Sequence, residues 1–295
     1  MKLNRRDFLK VSVGITGLLL LPSPAKASAQ EPLNKSGRAV LVDVSKCVGC
    51  WWCYAACKRE HNLPETIKPE PEHPPELNAD VWTTLRTTRN GSEWLFAKRQ
   101  CMHCQYPACA EACIVGALQK TPEGPVVYDE GKCIGCRYCM VACPFGVPNF
   151  EWDDPTPWIR KCDFCADRLA KGLEPACVAA CTTGALKFGQ REELIAEARE
   201  RIAAEPNKYI NHIYGEEEAG GTSWLYISTI PMEKMGFPSL ESKPVTANTQ
   251  RAMGAVPPAL LGVAATMAGI YWLTKRRQKL GQAEDSNKEK TGVMK

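Results

Sequence analysis

One run of cysteines in the middle of the chain limits its possible folds more than any other feature. Cys133, Cys136, Cys139 and Cys143 are followed directly by Pro144, which gives the spacing C-x2-C-x2-C-x3-C-P. Three thiolates two residues apart can converge from one tight loop onto a single iron–sulfur cube, and the fourth then points towards a second cube. A zinc knuckle or a disulfide knot is the alternative for cysteines at short spacing. The full run predicts ligands of a [4Fe–4S] cluster.

The 295-residue chain has sixteen cysteines, and they fall into four groups of four. The other three groups have the spacings x2/x2/x3, x2/x4/x3 and x2/x11/x3, and we expect every group to bind iron–sulfur clusters. No C-x-x-C-H motif of covalent haem is present. The groups are I (Cys47, Cys50, Cys53, Cys57), II (Cys101, Cys104, Cys109, Cys113), III (Cys133, Cys136, Cys139, Cys143) and IV (Cys162, Cys165, Cys177, Cys181).

Three other side chains inside these groups need an interpretation. His103 lies within group II. Since four thiolates already complete a ligand set, we expect it to be a polar neighbour of a cluster rather than a ligand. Trp51 and Trp52 lie within group I. Two interpretations of this pair remain open: the indoles shield a cluster from water, or they form a docking surface for a partner.

The positive charge of the chain is concentrated at its two ends. The formal net charge is +4, but residues 30–274 carry 25 basic and 29 acidic side chains. Targeting and membrane topology are decided at such basic ends. The body has no basic stripe to support a nucleic-acid partner.

Residues 1–29 are predicted to be a twin-arginine signal peptide. The sequence Arg-Arg-Asp-Phe-Leu-Lys at 5–10 precedes a short apolar stretch at 11–21, and cleavage is expected after Ala27 or Ala29. An ordinary secretory signal with two chance arginines is the alternative. The twin-arginine route exports folded, cofactor-loaded proteins. That suits a chain whose sixteen thiols would otherwise meet an oxidising compartment unprotected.

Residues 252–274 are predicted to form a single transmembrane helix. Residues 254–273 are apolar and uncharged, and they give about 30 Å of helix, the thickness of one hydrocarbon core. Pro257 and Pro258 are expected in its first turn, where proline is tolerated. Basic residues follow at once, so the positive-inside rule predicts a cytoplasmic tail over 275–295 and a periplasmic body. A buried core helix is the alternative.

Hydrophobic patterns and turn residues predict mixed helix and strand between these ends. A hairpin is expected around Asn90-Gly91, within an insertion at 58–100 that also holds a proline-rich, extended stretch at 64–75. No nucleotide-binding pattern is present. The other predicted elements are strands at 38–45 and 223–228, a short hairpin at 122–129, a linker at 232–252, and a helix at 190–204 whose apolar face is Leu194, Ile195, Ala198 and Ile202.

In a two-cluster ferredoxin unit the fourth cysteine of each group ligates the other cluster. Four groups therefore make two units. Their order permits either groups I with II and III with IV, or group I with IV around II with III.

Over residues 38–189 the four spacings resemble those of the four-cluster iron–sulfur subunits of formate dehydrogenase, DMSO reductase and hydrogenase-2. This resemblance implies an α+β fold with two bacterial-ferredoxin-like (βαβ)2 units over 30–189, followed by a helix, strand and linker extension over 190–251. It also implies the nested pairing of groups. The implied ligand sets are cluster 1 (Cys47, Cys50, Cys53, Cys181), cluster 2 (Cys57, Cys162, Cys165, Cys177), cluster 3 (Cys101, Cys104, Cys109, Cys143) and cluster 4 (Cys113, Cys133, Cys136, Cys139).

Motifs outside the cysteines are similar to the HybA-like subunits of periplasmic hydrogenase-2 complexes. They are the signal at 5–9, Gln-Arg-Glu-Glu-Leu at 190–194, Tyr-Gly-Glu-Glu-Glu-Ala-Gly-Gly-Thr at 214–222 and the C-terminal anchor. The resemblance implies an electron-transfer subunit without a substrate site of its own. It would connect a catalytic subunit, a [NiFe] hydrogenase first of all, to a membrane quinone-reactive subunit in anaerobic respiration.

Other interpretations keep the clusters and change the complex. The chain would then be a formate dehydrogenase β subunit, or the iron–sulfur subunit of a transmembrane redox complex fed by cytochrome c. A periplasmic binding module stabilised by disulfides or zinc is the alternative from another class.

Overall fold

The computed structural model describes residues 37–64 and 68–292. The predicted signal peptide at 1–29 lies outside this range. The chain divides into a unit over 31–247 and a second unit that includes 248–295. In chain order the elements are β1 (Arg38–Asp43), α1 (Trp52–Glu60), β2 (Thr84–Asn90), β3 (Glu93–Arg99), α2 (Ala108–Glu111), β4 (Leu118–Lys120), β5 (Val126–Tyr128), α3 (Tyr138–Ala142), β6 (Asn149–Phe150), β7 (Ile159–Arg160), α4 (Ala166–Ala170), α5 (Ala176–Ala179), β8 (Leu186–Gln190), α6 (Arg191–Ala204), β9 (Trp224–Ile227) and α7 (Ala247–Gly292).

A three-stranded sheet with the order β8-β1-β9 lies at the centre of the first unit. Strand β1 runs antiparallel to β8 and parallel to β9. One face of the sheet packs into the core that contains the cysteines, through Val40, Val42, Trp224 and Tyr226. The other face packs against α6. A strand covered on both faces needs apolar residues throughout, which explains the continuous run Ala-Val-Leu-Val in β1.

Helix α6 presents the face that the sequence predicts. Leu194, Ile195, Ala198 and Ile202 are all buried, and they pack with Ala39, Leu41, Leu225 and Ile227 of the sheet. The prediction of an amphipathic helix at 190–204 is therefore confirmed, with the helix beginning at Arg191. The helix packs against β1, which precedes group I in the sequence, and β8, which follows group IV.

The remaining strands form three hairpins, β2-β3, β4-β5 and β6-β7. The hairpin predicted around Asn90-Gly91 is present, but its turn lies one residue later. Asn90 still pairs with Glu93, so Gly91 and Ser92 form the loop. Gly91 has φ +63°, a conformation that glycine adopts without steric cost at the first residue of a two-residue turn. The hairpin expected at 122–129 is β4-β5, which begins earlier, at Leu118.

The described helices and strands confirm a mixed helix and strand domain, arranged around two pairs of short helices. Helix α1 contacts α5, and α2 contacts α3. Strands β1 and β8 flank the first helix pair, and hairpin β4-β5 joins the second. The expectation of two complete (βαβ)2 units stays a prediction.

The linker predicted over 232–252 is wrong for its first part. Met232, Met235 and Phe237 are buried in the core beside the cysteines, and the hydroxyl of Tyr214 donates to the carbonyl of Pro238 at 2.7 Å. The prolines and polar residues of this segment favoured a linker. The three apolar side chains between them decide its packing instead.

Helix α7 is longer than the predicted span. It has 46 residues, begins at Ala247 and contains Pro257 and Pro258 in its interior, so the expectation that these prolines lie in the first turn is wrong. The residues before them are compatible with helix, so the helix begins earlier than the apolar stretch. Within it, Ala252–Asn287 is long and apolar enough to cross a membrane.

Candidate iron–sulfur sites

Groups I and III each begin after the same kind of turn. Asp43 is the last residue of β1, and Asp129 directly follows β5. Each caps a short 3-10 turn. In both, a carboxylate oxygen accepts from the backbone N–H two residues later, at 3.1 Å. Each turn ends directly before the first cysteine of its group, Cys47 or Cys133. The capped turn therefore fixes where the cysteine loop starts.

Left-handed residues then bend each loop around its cysteines. Gly49 and Gly135 have φ +64° and +69°, and Trp51 and Arg137 have φ +66° and +63°. Such values are uncommon for residues other than glycine and occur where the surroundings require them. Helices α1 and α3 start directly after Trp51 and Arg137, so each loop turns from an extended entry into a helix that carries further cysteines.

Groups II and IV also share one design. Their first two cysteines enclose the left-handed residues His103 and Phe164. Pro107 and Pro175 then precede the short helices that carry the third cysteine. The chain thus contains two copies of one half, groups I–II and groups III–IV. The sequence signals this repeat through Pro-Ala-Cys and Gly-Ala-Leu in both copies.

The helix contacts bring group I next to group IV and group II next to group III. Helix α1 of group I packs on α5 of group IV, and α2 of group II packs on α3 of group III. Of the two pairings that the sequence leaves open, these helix contacts favour the nested one, which stays a prediction.

Four cysteines from the two ends of the cysteine region line one cavity. Its walls include Cys47, Cys50, Cys53 and Cys181 together with Lys98. These cysteines are the set that the resemblance implies for cluster 1. Burial above all, together with the nearby Cys181 and Cys50, raises the pKa of Cys47 to about 11.

The other three implied sets have the same internal proximity. After burial, the charges that raise the pKa values of Cys57 and Cys165 include that of Cys177. The pKa of Cys104 is raised by the charges of Cys143, Cys101 and Cys109 in addition to burial. For Cys139, whose pKa rises to about 11, the charges are those of Cys113, Cys133 and Cys136.

Burial is the main cause of these raised pKa values. It raises those of Cys53, Cys109 and Cys165 to about 12, since a thiolate is poorly stabilised away from water. All sixteen cysteines are free of disulfides. Converging buried thiols fit a metal cluster, because a bound cation stabilises the thiolate form. The donor set therefore suits [4Fe–4S] clusters.

The four sets follow one another in a row. At three junctions, the charge of a thiol in one set contributes, less than burial does, to the raised pKa of a thiol in the neighbouring set. Of the sixteen cysteines, all within the described part of the chain, only Cys136 is exposed. Exposed apolar side chains such as Val48, Ile134 and Val141 accompany the two terminal sets. The junctions are Cys53 with Cys177, Cys162 with Cys101, and Cys109 with Cys139.

The two tryptophans of group I have different surroundings. Trp51 is 3% exposed and packs with Tyr54, Leu85 and Phe96, whereas Trp52 is 51% exposed. Each of the two open interpretations therefore suits one residue. Trp51 lies where it can shield the first set from water, and Trp52 faces outwards.

His103 is fully buried beside group II. Its Nδ1 accepts from the N–H of Val126 at 2.9 Å, and burial together with nearby lysines lowers its pKa well below the usual value. The ring is therefore neutral and packs against Phe164, with 4.9 Å between ring centres. This environment suits the expected polar neighbour of a cluster.

One further donor near group IV, His61, is not apparent from the sequence. Nε2 of His61 lies 3.7 Å from Sγ of Cys165 and 3.4 Å from a carboxylate oxygen of Asp163. His61 is 104 residues from Cys165, so no local spacing reveals it. Because Cys165 belongs to the implied set of cluster 2, His61 and Asp163 border that site rather than form a separate one.

Known proteins share both the cysteine region and the rest of the chain. Residues 92–191 match the 4Fe–4S dicluster domain. A protein of Nitratidesulfovibrio vulgaris is 40% identical over 99% of this chain and 82% of its own length. The hydrogenase-2 operon protein HybA of Escherichia coli O157:H7 is 35% identical over 94% of this chain and 96% of its own length. The nitrate-inducible formate dehydrogenase iron–sulfur subunit of Escherichia coli K12 is 35% identical over 81% of this chain and 84% of its own length. The chain therefore belongs to the 4Fe–4S dicluster family of iron–sulfur subunits that includes HybA and the iron–sulfur subunits of formate dehydrogenases.

Proposed function

We propose that this chain is an electron-transfer subunit that relays single electrons through four [4Fe–4S] clusters. The relay connects a periplasmic catalytic subunit, a [NiFe] hydrogenase first of all, to a quinone-reactive subunit in the membrane. The observation that carries this proposal is the row of four converging cysteine sets in a chain similar to HybA over nearly its whole length.

The proposed ligands are the four sets named above. When bound, clusters of this kind accept and release one electron at a time. The chain contributes sixteen thiolates and loops whose left-handed residues turn the backbone around them. Its core keeps water from the two middle sets. Val48 and Trp52 beside the first set, and Ile134, Tyr138 and Val141 beside the last, are exposed apolar side chains suited to contact with partner subunits.

We propose that the chain performs no substrate chemistry itself. Its buried polar groups serve the fold and the cysteine sets, and the relatives' names describe subunits rather than complete enzymes. The catalytic site would lie on a partner subunit.

The chain would be exported by the twin-arginine route and held at the periplasmic side of the inner membrane by α7, with its tail in the cytoplasm. The apolar span of α7 and the basic residues that follow it support this topology. A protease added to intact spheroplasts should digest the body and spare a tag at the C-terminus. Digestion of the tag in intact spheroplasts contradicts this orientation.

The test of function is gentle detergent extraction of the native complex, followed by metal analysis and identification of the co-purifying chains. We expect about 16 iron atoms per chain and a nickel–iron large subunit. Zinc in place of iron would overturn the cluster proposal. A molybdopterin subunit would support the second candidate, a formate dehydrogenase β subunit, which 35% identity to such a subunit favours. A multihaem cytochrome would indicate a complex fed by cytochrome c.

A further inference from the structure

A lysine with no carboxylate partner among the described residues lies inside the cysteine region. Lys98, near the end of β3, is 2% exposed. Its ammonium donates to Oγ1 of Thr83 and, at 3.1 Å, to Oε1 of Gln100. It also lies 4.8 Å from the ring centre of Trp224, a distance at which the ring face attracts a cation.

These neutral partners do not balance the charge of Lys98. None of the ion pairs between described residues includes Lys98. Burying an unpaired ammonium is costly, and lysine is almost never fully buried unless negative charge lies near it. The compensating charge must therefore come from the surrounding cysteines.

Lys98 lies between the first two cysteine sets. It lines the same cavity as Cys47, Cys50, Cys53 and Cys181. Burial alone would lower its pKa, but the attraction of nearby thiolates, the form in which these cysteines would bind a cluster, outweighs burial and raises it. The thiolates are those of Cys177, Cys53, Cys162 and Cys57, which belong to the sets of clusters 1 and 2.

We propose that Lys98 is a positioning residue whose fixed positive charge favours the reduced state of clusters 1 and 2 and so raises their reduction potentials. Reduction adds one electron, and hence one negative charge, to a site that lies in a medium of low dielectric constant. A cation close to that site stabilises the added charge. The electron comes from the neighbouring cluster of the row, and no proton is required. The inference rests on the proposed ligand sets.

Lys120 provides a matched control. It is half-buried, and its ammonium donates to the carbonyls of His103 at 2.9 Å and Gly124 at 2.5 Å. The thiolates near it are those of Cys104, Cys101 and Cys109, all from the set of cluster 3. Its neutralisation therefore removes the same charge from a different place in the row.

The experiment is an EPR-monitored redox titration of the purified complex, comparing wild type with Lys98→Met, Lys98→Arg and Lys120→Met. In Lys98→Met we expect two of the cluster signals to shift to lower potential. At a fixed potential their reduced-to-oxidised ratio should fall at least about tenfold, which equals about 59 mV for one electron. Lys98→Arg should keep the wild-type values, and Lys120→Met should shift a different signal.

Iron content per chain separates the possible failures. If wild type lacks iron, the proposed function is wrong. If Lys98→Met keeps wild-type iron and no signal shifts, or if Lys98→Met and Lys120→Met shift the same signal, the role of Lys98 is wrong. If Lys98→Met loses iron, Lys98→Arg decides. Wild-type iron and potentials in that variant support the requirement for charge, and shifted potentials at full iron content overturn it.

Discussion

Replacing Asp43 by alanine should destabilise the entry to group I, because this carboxylate is fully buried and holds several elements together. One oxygen accepts from the N–H and the hydroxyl of Ser45, at 3.1 and 2.6 Å. The other accepts from the hydroxyl of Tyr209 at 2.9 Å and the guanidinium of Arg201 at 3.2 Å. Asp43 thereby connects β1, the turn before Cys47 and the end of α6.

The expected loss of stability depends on the groups that lose Asp43 as a hydrogen-bond or ion-pair partner. A hydrogen bond to a charged group contributes about 1.5–3 kcal/mol, and removing one partner of a buried ion pair costs about 3–5 kcal/mol. Arg201 is 23% exposed and also pairs with Glu197 at 2.5 Å, so its charge is not wholly stranded. The hydroxyl of Tyr209 keeps Ser45 within 3.0 Å. We therefore expect the free energy of unfolding to fall by about 3 kcal/mol, the lower end of the range for a buried ion pair.

Asp129→Ala is the matched control. Asp129 occupies the same place before Cys133 and accepts the same backbone hydrogen bond at 3.1 Å. However, it is exposed, and its other partner is Lys132 on the surface. Exposed pairs of this kind contribute little to stability, so this variant should lose only the contribution of the cap, about 1 kcal/mol.

Unfolding of a protein with metal clusters is not a simple two-state reaction, so the comparison uses the urea concentration at which half of the visible cluster absorbance is lost under anaerobic conditions. Asp43→Ala should lower that midpoint by on the order of 1 M. Arg201→Met should add little when combined with Asp43→Ala, since both remove the same interaction. Equal midpoints for Asp43→Ala and Asp129→Ala would refute the reasoning.

Three further outcomes follow from the loops and thiols. Cys143→Ala should damage the cluster held by the first three cysteines of group II; Mössbauer or EPR loss confined to the group III cluster contradicts the cross-ligation. Gly49→Ala should lower the iron content to about 12 atoms per chain, because the added Cβ would lie 2.5 Å from the ring of Phe96. Gly135→Ala, whose Cβ would lie 3.8 Å from the nearest side chain, should retain all iron. Equal iron content in both variants would speak against this steric argument. Iron binding to the apo-chain at pH 7 should release about one proton per ligating cysteine. Burial raises the pKa of thiols such as Cys53 to about 12, so they are protonated without metal. A pH-stat measurement that records no proton release would exclude this account.

The sequence predicts elements whose physical cause is local. The apolar face of α6 is visible as a helical period, and Asn90-Gly91 marks the hairpin because few residues adopt its turn conformation. The cysteine groups are visible because their ligand geometry imposes a fixed spacing. The one-residue displacement of the turn to Gly91 and Ser92 shows the limit of this signal, since both turns contain the same glycine.

Features that depend on distant parts of the chain are not predictable in this way. Strand β1 pairs in parallel with β9, and Val40 lies opposite Trp224, although no local pattern selects that partner. His61 reaches Cys165 only through the contact between α1 and α5. Lys98 belongs to a strand next to a hairpin turn, where a lysine is expected to face water. Its burial becomes apparent only once the two halves of the chain enclose it.

The way charge is balanced along the row differs between its first three cysteine sets and its last. Buried or half-buried lysines accompany the first three cysteine sets: Lys98 near those of clusters 1 and 2, and Lys120 and Lys161 near that of cluster 3. For Cys139, in the set of cluster 4, the charges that affect the pKa are those of other cysteines, and Cys136 of that set is exposed. Water can stabilise charge at an exposed site, whereas a buried site needs a fixed cation. The lysines therefore lie where little solvent reaches. The exposed end of the row, where a partner subunit would displace water, is the place at which binding can alter a cluster's potential most.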